Sequence, residues 1–456
     1  MHSSLPTPRR LLLVFALAIP SLAAPTSPAQ TLARPGWAGS GISTDLWWKH
    51  AILYQLNPAN FTPTTPAETP LHALILRLDY LRTLGADAIL LTPIQTDPAH
   101  ATTIQPPLGT LDDFDDLLRE GSRRNLRILL DLAPEIPSAD LPNIARFWLN
   151  RGVAGFHITG SSPASHAQAA ALRGITDTFL GQRILIADAD PSLPAAPTRT
   201  YKSPDGPTPH LRLDTSLANQ QTLTASAIRP ILENTQDIAD AGRSLPLLAT
   251  DSPGLPRSFT RYADHQHDLD IAKVLATILL TTRAGSVLYD GQELGVPTPE
   301  PTPLIVWEAP PPTHQDKPTA QPIPADTPDT ASPPNAALEQ ADPNSLFNWY
   351  RQLIALHHSN ATLASGSTVT LNQDDKNVLV WIRKPRTITP LSPPVVILCN
   401  LTAQPASVSL KADIARLHLR GSFLRTLLRS DNGMGSLHLD SITLPPYTAY
   451  IGQLRY

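Results

Sequence analysis

Asp131, His157 and Asp188 stand at the ends of three consecutive short apolar runs, residues 127–132, 155–158 and 183–187. If those runs are neighbouring strands, two carboxylates and one imidazole meet at one end of a sheet. Such a set has two uses. It can ligate a divalent ion such as Mn²⁺, Fe²⁺ or Zn²⁺. Alternatively its members satisfy one another, with His157 donating to either Asp, as buried polar groups generally do. Cys399 is the single cysteine, so neither an intramolecular disulfide nor a cysteine metal cluster is available. It lies in the apolar run 395–399 and reads as a small buried hydrophobe. No cofactor is expected.

The elements that must carry these residues follow a β-then-α rhythm. Strand-like runs fall at 50–56, 86–92, 127–132, 155–158, 183–187, 211–213, 246–249 and 286–288. Helical segments separate them. Residues 71–84 place Leu71, Leu74, Ile75, Leu78 and Leu81 on one face, and 111–124 carry Asp112, Asp113 and Asp115 in the first turn, where the helix dipole favours acids. Residues 268–282 are more apolar and read as buried. Eight β-then-α units predict a closed (β/α)8 barrel over residues 45–360. Residues 297–334 interrupt the rhythm with thirteen prolines. Proline fixes φ and removes a backbone donor, so this crossing is expected to form neither helix nor sheet interior. Residues 344–359 then give the last barrel helix, and 361–456 turn β-rich, which predicts a C-terminal antiparallel β-sandwich.

At the N-terminus, Arg9-Arg10 precede an apolar run from Leu11 to Ile19 and small residues at Ser21 and Ala23. This is the pattern of an export signal over residues 1–23, followed by a Pro-, Ser- and Gly-rich leader over 24–44. The run is too short for a mature membrane span. The whole chain has 35 basic and 39 acidic side chains. Losing Arg9 and Arg10 would leave 33 against 39, a net charge of −6. That balance argues against nucleic acid and anionic membrane surfaces as partners. The expected location is periplasmic or extracellular.

The opening Trp47-Trp48-Lys49-His50-Ala51-Ile52-Leu53-Tyr54-Gln55-Leu56 resembles the family 13 glycoside hydrolases, the α-amylase, α-glucosidase and trehalose synthase group. The likeness continues through Arg77-Leu78-Asp79-Tyr80-Leu81, Gly109-Thr110-Leu111-Asp112-Asp113-Phe114, Arg146-Phe147-Trp148-Leu149-Asn150-Arg151-Gly152-Val153, Leu288-Tyr289-Asp290-Gly291-Gln292-Glu293-Leu294-Gly295 and Asn348-Trp349-Tyr350-Arg351. The resemblance implies a (β/α)8 barrel with a C-terminal β domain. It also implies retaining chemistry by two carboxylates, one attacking the anomeric carbon and one donating a proton and later activating water.

The acids that this chemistry needs are mostly replaced. After the third strand Asp131 remains, but Glu135 and Ile136 stand where the family has Asn and His. After the fourth, His157 takes an Arg position and Thr159 the nucleophile position. After the fifth, Asp188 replaces the acid/base Glu. The loss of one methylene, roughly 1.5 Å, is of a size that can cost about a hundredfold. After the seventh, an ungapped comparison puts Gly254 at the transition-state-stabilising Asp, whereas a two-residue gap puts Asp251 there. Fifteen residues lie between Asp131 and Phe147, so the usual insertion after strand three is absent. The resemblance therefore implies a degenerate barrel without its catalytic set, one that binds an α-glucan or oligosaccharide without cutting it. Retained or divergent α-glycoside hydrolysis or transglycosylation is one alternative. A scaffold for a protein partner is another, as in the heavy chains of amino-acid transporters, with the 297–334 crossing as the contact. Of the tryptophans only Trp307, beside that crossing, is offered as a ligand contact. Trp48, Trp148 and Trp381 are expected to pack.

Overall fold

Period-two alternation in eight short strands fixes the architecture. The strands are β1 (Ile52–Leu56), β2 (Ala88–Leu91), β3 (Arg127–Leu132), β4 (Gly155–Ile158), β5 (Ile184–Asp188), β6 (Leu211–Asp214), β7 (Leu245–Ala249) and β8 (Gly285–Tyr289). In this computed structural model they pair in parallel, each with the next and β8 with β1, to close a barrel. The structure describes residues 46–63, 65, 68–132, 136–189, 208–242, 244–308, 332–431 and 433–456. The expected export signal and leader, Glu135, and residues 309–331 of the proline-rich crossing lie outside them.

Leu53, Leu90, Leu129, Ile186, Leu213, Leu247 and Val287 point one way and form a cluster of their own, which is the barrel filling. Their alternates, among them Ile52, Tyr54, Ile89, Leu130, Phe156 and Leu185, join a larger cluster with the helices outside. β4 begins with glycine for a steric reason. A Cβ at Gly155 would lie 2.1 Å from the Ile184 carbonyl oxygen. Side chains on that parity at the C-terminal strand ends, including Asp131, His157 and Asp188, therefore share one mouth.

Helix boundaries follow their local chemistry. Thr110 and Asp113 form a reciprocal capping box on the helix Leu111–Arg123. The helix Leu141–Arg151 follows β3 directly, with no inserted subdomain, and stops at Gly152 in the left-handed region. The single helix expected over residues 71–84 is two, Pro70–Ile75 and Leu78–Leu84. Arg77 leaves helical geometry between them and sends its guanidinium to Glu308 at 2.8 Å. In the described part of the crossing, 297–308 holds no helix, and Val306 makes one parallel bridge to Asn335.

The C-terminal strands are β9 (Ser367–Leu371), β10 (Val378–Lys384), β11 (Val395–Asn400), β12 (Ala406–Val408), β13 (Phe423–Arg429), β14 (Leu437–His438), β15 (Ile442–Leu444) and β16 (Ala449–Arg455). Six pair in the order β14-β13-β16-β11-β10-β9, and β12 pairs with β15. The larger sheet is apolar on both faces. Leu379, Trp381, Ile397 and Cys399 join the barrel's outer cluster. Val380, Ile382, Val396 and Leu398 pack into a second cluster with Ile442 and Leu444 of the smaller sheet. Arg383 is wholly buried at the junction. It donates to the carbonyls of Thr281 and Gly366, where two helices end.

Candidate active site

Strand register brings the expected residues together. Asp131 of β3 is paired with His157 of β4, and β4 lies beside β5, which ends on Asp188. The His157 ring stands between the two acids. Its Nε2 lies 2.9 Å from Asp188 Oδ1, and its Nδ1 lies 3.2 Å from Asp131 Oδ1, an ion-pair contact angled away from a full hydrogen bond. The loop after β4 completes the arrangement. Thr159 Oγ1 donates to Asp131 Oδ1 at 3.0 Å, and the Gly160 N–H donates to Asp188 Oδ2 at 2.7 Å.

Both ring nitrogens thus face carboxylate oxygens, which accept and cannot donate when ionised. The imidazole meets that demand as a cation. Burial alone would push its pKa down, yet the charges and hydrogen bonds of Asp131 and Asp188 outweigh burial and raise it to about 10. For Asp188 burial raises the pKa, but the His157 hydrogen bond and charge, with the Gly160 N–H, more than offset it and hold the carboxyl below the usual range. A glycosidic general acid needs the opposite, a proton retained near neutral pH. Thr159 is exposed at the rim, and its hydroxyl hydrogen is committed to Asp131.

The metal alternative meets a geometric obstacle in the same bridge. An ion bound by His157 would have to take a nitrogen already facing a carboxylate oxygen. Among the described residues no group of three or more His, Cys, Asp and Glu side chains is placed to hold a metal.

Of the two candidates after β7, Asp251 stands at the strand end, in phase with inward-facing Leu247 and Ala249. Gly254 lies on the exposed turn beyond, at φ +80°. The Asp251 carboxylate is spent on structure, accepting from the Ser258 backbone N–H and, at 2.6 Å, from its hydroxyl. Sequence reading did not anticipate Ser258. An acid followed by a serine at a helix start is the available signal.

Trp307 is held from inside the protein. Its ring stacks on Phe61 at 5.7 Å, meets Tyr80 edge-on at 5.1 Å, and has the Arg77 guanidinium 5.1 Å from its centroid. Such a ring is a packing element of the β1–β2 side and offers little free face for a sugar. Trp148 and Trp381 are fully buried, and the Trp148 N–H donates to the Ala101 carbonyl at 2.9 Å. Cys399 is likewise buried, and burial pushes its thiol pKa up.

Comparison with known proteins bears on the sequence around the first strands and on the fold. The alpha amylase catalytic-domain family matches residues 55–140. Over 95 residues the chain is 43% identical to trehalose-6-phosphate hydrolase of Escherichia coli, a match covering 19% of this chain and 17% of that relative's length. A longer match, 24% identical over 444 residues, reaches an amino acid transporter heavy chain of Rattus norvegicus and covers 90% of this chain and 79% of the relative. Among solved structures, Bacillus licheniformis trehalose-6-phosphate hydrolase superposes with a TM-score of 0.72 at 17% identity, covering 90% of this chain and all (100%) of that one. Isomaltulose synthase from Klebsiella gives 0.72 at 18% identity, with the same coverage. These structural likenesses carry the fold alone. By its amylase-type sequence over residues 55–140 and its closed barrel with a C-terminal sheet, the chain resembles the glycoside hydrolases of the α-amylase family.

Proposed function

We propose that the chain is an exported, non-hydrolysing amylase-type barrel that binds an α-glucan or related oligosaccharide at its mouth. The single observation that carries this reading is the His157 bridge between Asp131 and Asp188. It engages both surviving acids and holds Asp188 ionised, while the position implied for the nucleophile offers only the Thr159 hydroxyl. A general acid by itself contributes about 10²–10⁴-fold, far less than glycoside hydrolysis requires. The ligand class is drawn from relatives whose names denote action on glucosides and trehalose phosphate. Export rests on residues 1–23. Calorimetric titration with a maltooligosaccharide, followed by analysis of the recovered sugar, tests the reading: binding with intact sugar is expected. Shortened products would overturn it.

A second reading is favoured by the length of the heavy-chain match. The long alignment runs to a transporter subunit, whereas the trehalose-6-phosphate hydrolase match covers 19% of the chain. In that reading the barrel is a platform for a protein partner, contacted through the proline-rich crossing at 297–334. No helix of the described residues is long and apolar enough to cross a membrane. No heat with any sugar, together with co-purification of a partner lost when 309–331 are deleted, would favour it.

A further inference from the structure

A second acid pair lies under the corner that follows β8, apart from the His157 bridge. Asp290 and Glu293 are both 0% exposed. Glu293 Oε1 accepts from Tyr80 at 2.5 Å and from Tyr54 at 2.9 Å. The Tyr54 oxygen also accepts the Gly291 N–H at 2.9 Å and lies 3.5 Å from Asp290 Oδ1. Asn60 donates to Asp290 Oδ2 at 2.9 Å.

The donors do not cover the acceptors. Two carboxylates present four oxygens, and three side-chain donors reach them: Tyr54, Tyr80 and Asn60. Two of these converge on Glu293 Oε1. Glu293 Oε2 has no hydrogen-bond partner among the described residues. Asp290 Oδ1 has only a long approach to a hydroxyl whose hydrogen is already used. The surrounding charge does not make up the deficit. Arg257 donates to the Asp290 backbone carbonyl at 2.6 Å and pairs with Glu300 at 2.6 Å; its charge partly offsets burial at Asp290, but among the described residues it donates to neither carboxylate. The other titratable groups that act on the pair are Glu300, Tyr289 and Tyr350, and none of them supplies a positive charge. Two like charges in such a site favour retention of a proton.

We propose that Asp290 and Glu293 together hold one carboxylic proton at neutral pH, a buried proton site that latches the β8 corner of the barrel. The corner's connections give the proton its leverage. Gln292, between the two acids, donates to Thr250 after β7 and to Tyr350 of the last barrel helix. Asp290 holds Arg257 through its carbonyl, and Arg257 lies 4.0 Å from the Tyr289 ring at the end of β8. When the carboxyl O–H bond breaks, the proton goes to solvent. Two anions then repel across the Gly291–Leu294 turn. Burial raises both acids, Asp290 to about 6 and Glu293 to about 7, against partial offset by their hydrogen bonds.

Infrared spectroscopy of the intact protein tests the proposal without depending on any variant folding. A carboxylic C=O band from a buried acid is expected at pH 5.5 and should vanish with a midpoint near 7. Glu293→Gln, a neutral isostere of the protonated acid, should weaken that band, lower its midpoint to about 6 or below and flatten the stability profile between pH 6 and 8. Absence of the band in the wild type at pH 5.5 would overturn the proposal. So would an unchanged band and midpoint in both Glu293→Gln and Asp290→Asn.

Discussion

Replacing His157 with glutamine removes the cation between Asp131 and Asp188 while keeping a side chain that can donate to one of them. The imidazole pKa is held at about 10 instead of 6.5. At about 1.4 kcal/mol per pH unit, that bounds the ion-pair contribution near about 5 kcal/mol. The Asp188 side chain is 25% exposed, so water screens part of it. Removing one member of a buried pair typically costs about 3–5 kcal/mol, and the lower end, about 3 kcal/mol, is expected here. The sign follows from linkage. A group whose folded pKa is raised lends stability that is complete below 6.5 and disappears as pH rises through about 10. Denaturant midpoints of wild type and His157→Gln should therefore differ most at pH 6 and converge above pH 10. Taking the difference between the two curves cancels the separate contribution of Glu293, which is lost as pH rises through about 7. A His157→Gln protein within about 0.5 kcal/mol of wild type at pH 6, below any ordinary buried-pair loss, would refute the bridge as an energetic feature.

Three further outcomes follow from named contacts. Thr159→Asp places a carboxylate where the resemblance implies the nucleophile but should yield no sugar cleavage by product analysis, because Asp188 stays ionised against His157. Arg383→Met should lower stability by about 3 kcal/mol in denaturant titrations, since the Thr281 and Gly366 carbonyls lose their buried donors. Trp148→Phe keeps the packing against Phe114 but loses the bond to the Ala101 carbonyl, costing about 1–2 kcal/mol by the same assay.

The barrel was legible because its strands are short apolar runs with fixed parity, and parity does not depend on knowing what lies across the sheet. β3 and β4 fall on the expected residues, and the other barrel strands fall within two residues of them. The break at Leu76–Arg77 was not legible: apolar spacing continues through it, and the contact Arg77 makes there, with Glu308, is distant in sequence. The same divide runs through the site. Strand ends placed Asp131, His157 and Asp188 at one mouth, but whether the imidazole binds one acid or bridges both depends on angles that spacing does not encode. Asp251 and Gly254 could not be separated by alignment, and only the strand end and the exposed turn tell them apart. The Asp290–Glu293 pair went unremarked because both residues sit within a stretch recognised by its family wording. Two acids three residues apart in an apolar segment were the usable clue, with Tyr54 and Tyr80 on buried elements as their partners.

The most direct test of a barrel without hydrolysis is prolonged incubation of the purified protein at high concentration with a maltooligosaccharide, scored for new reducing ends. Asp188→Asn is run in parallel. No product above the level given by Asp188→Asn is the expected result, in keeping with an acid held ionised by His157. Cleavage by the wild type that disappears in Asp188→Asn would contradict it, and would make Asp188 a working acid despite its bridge.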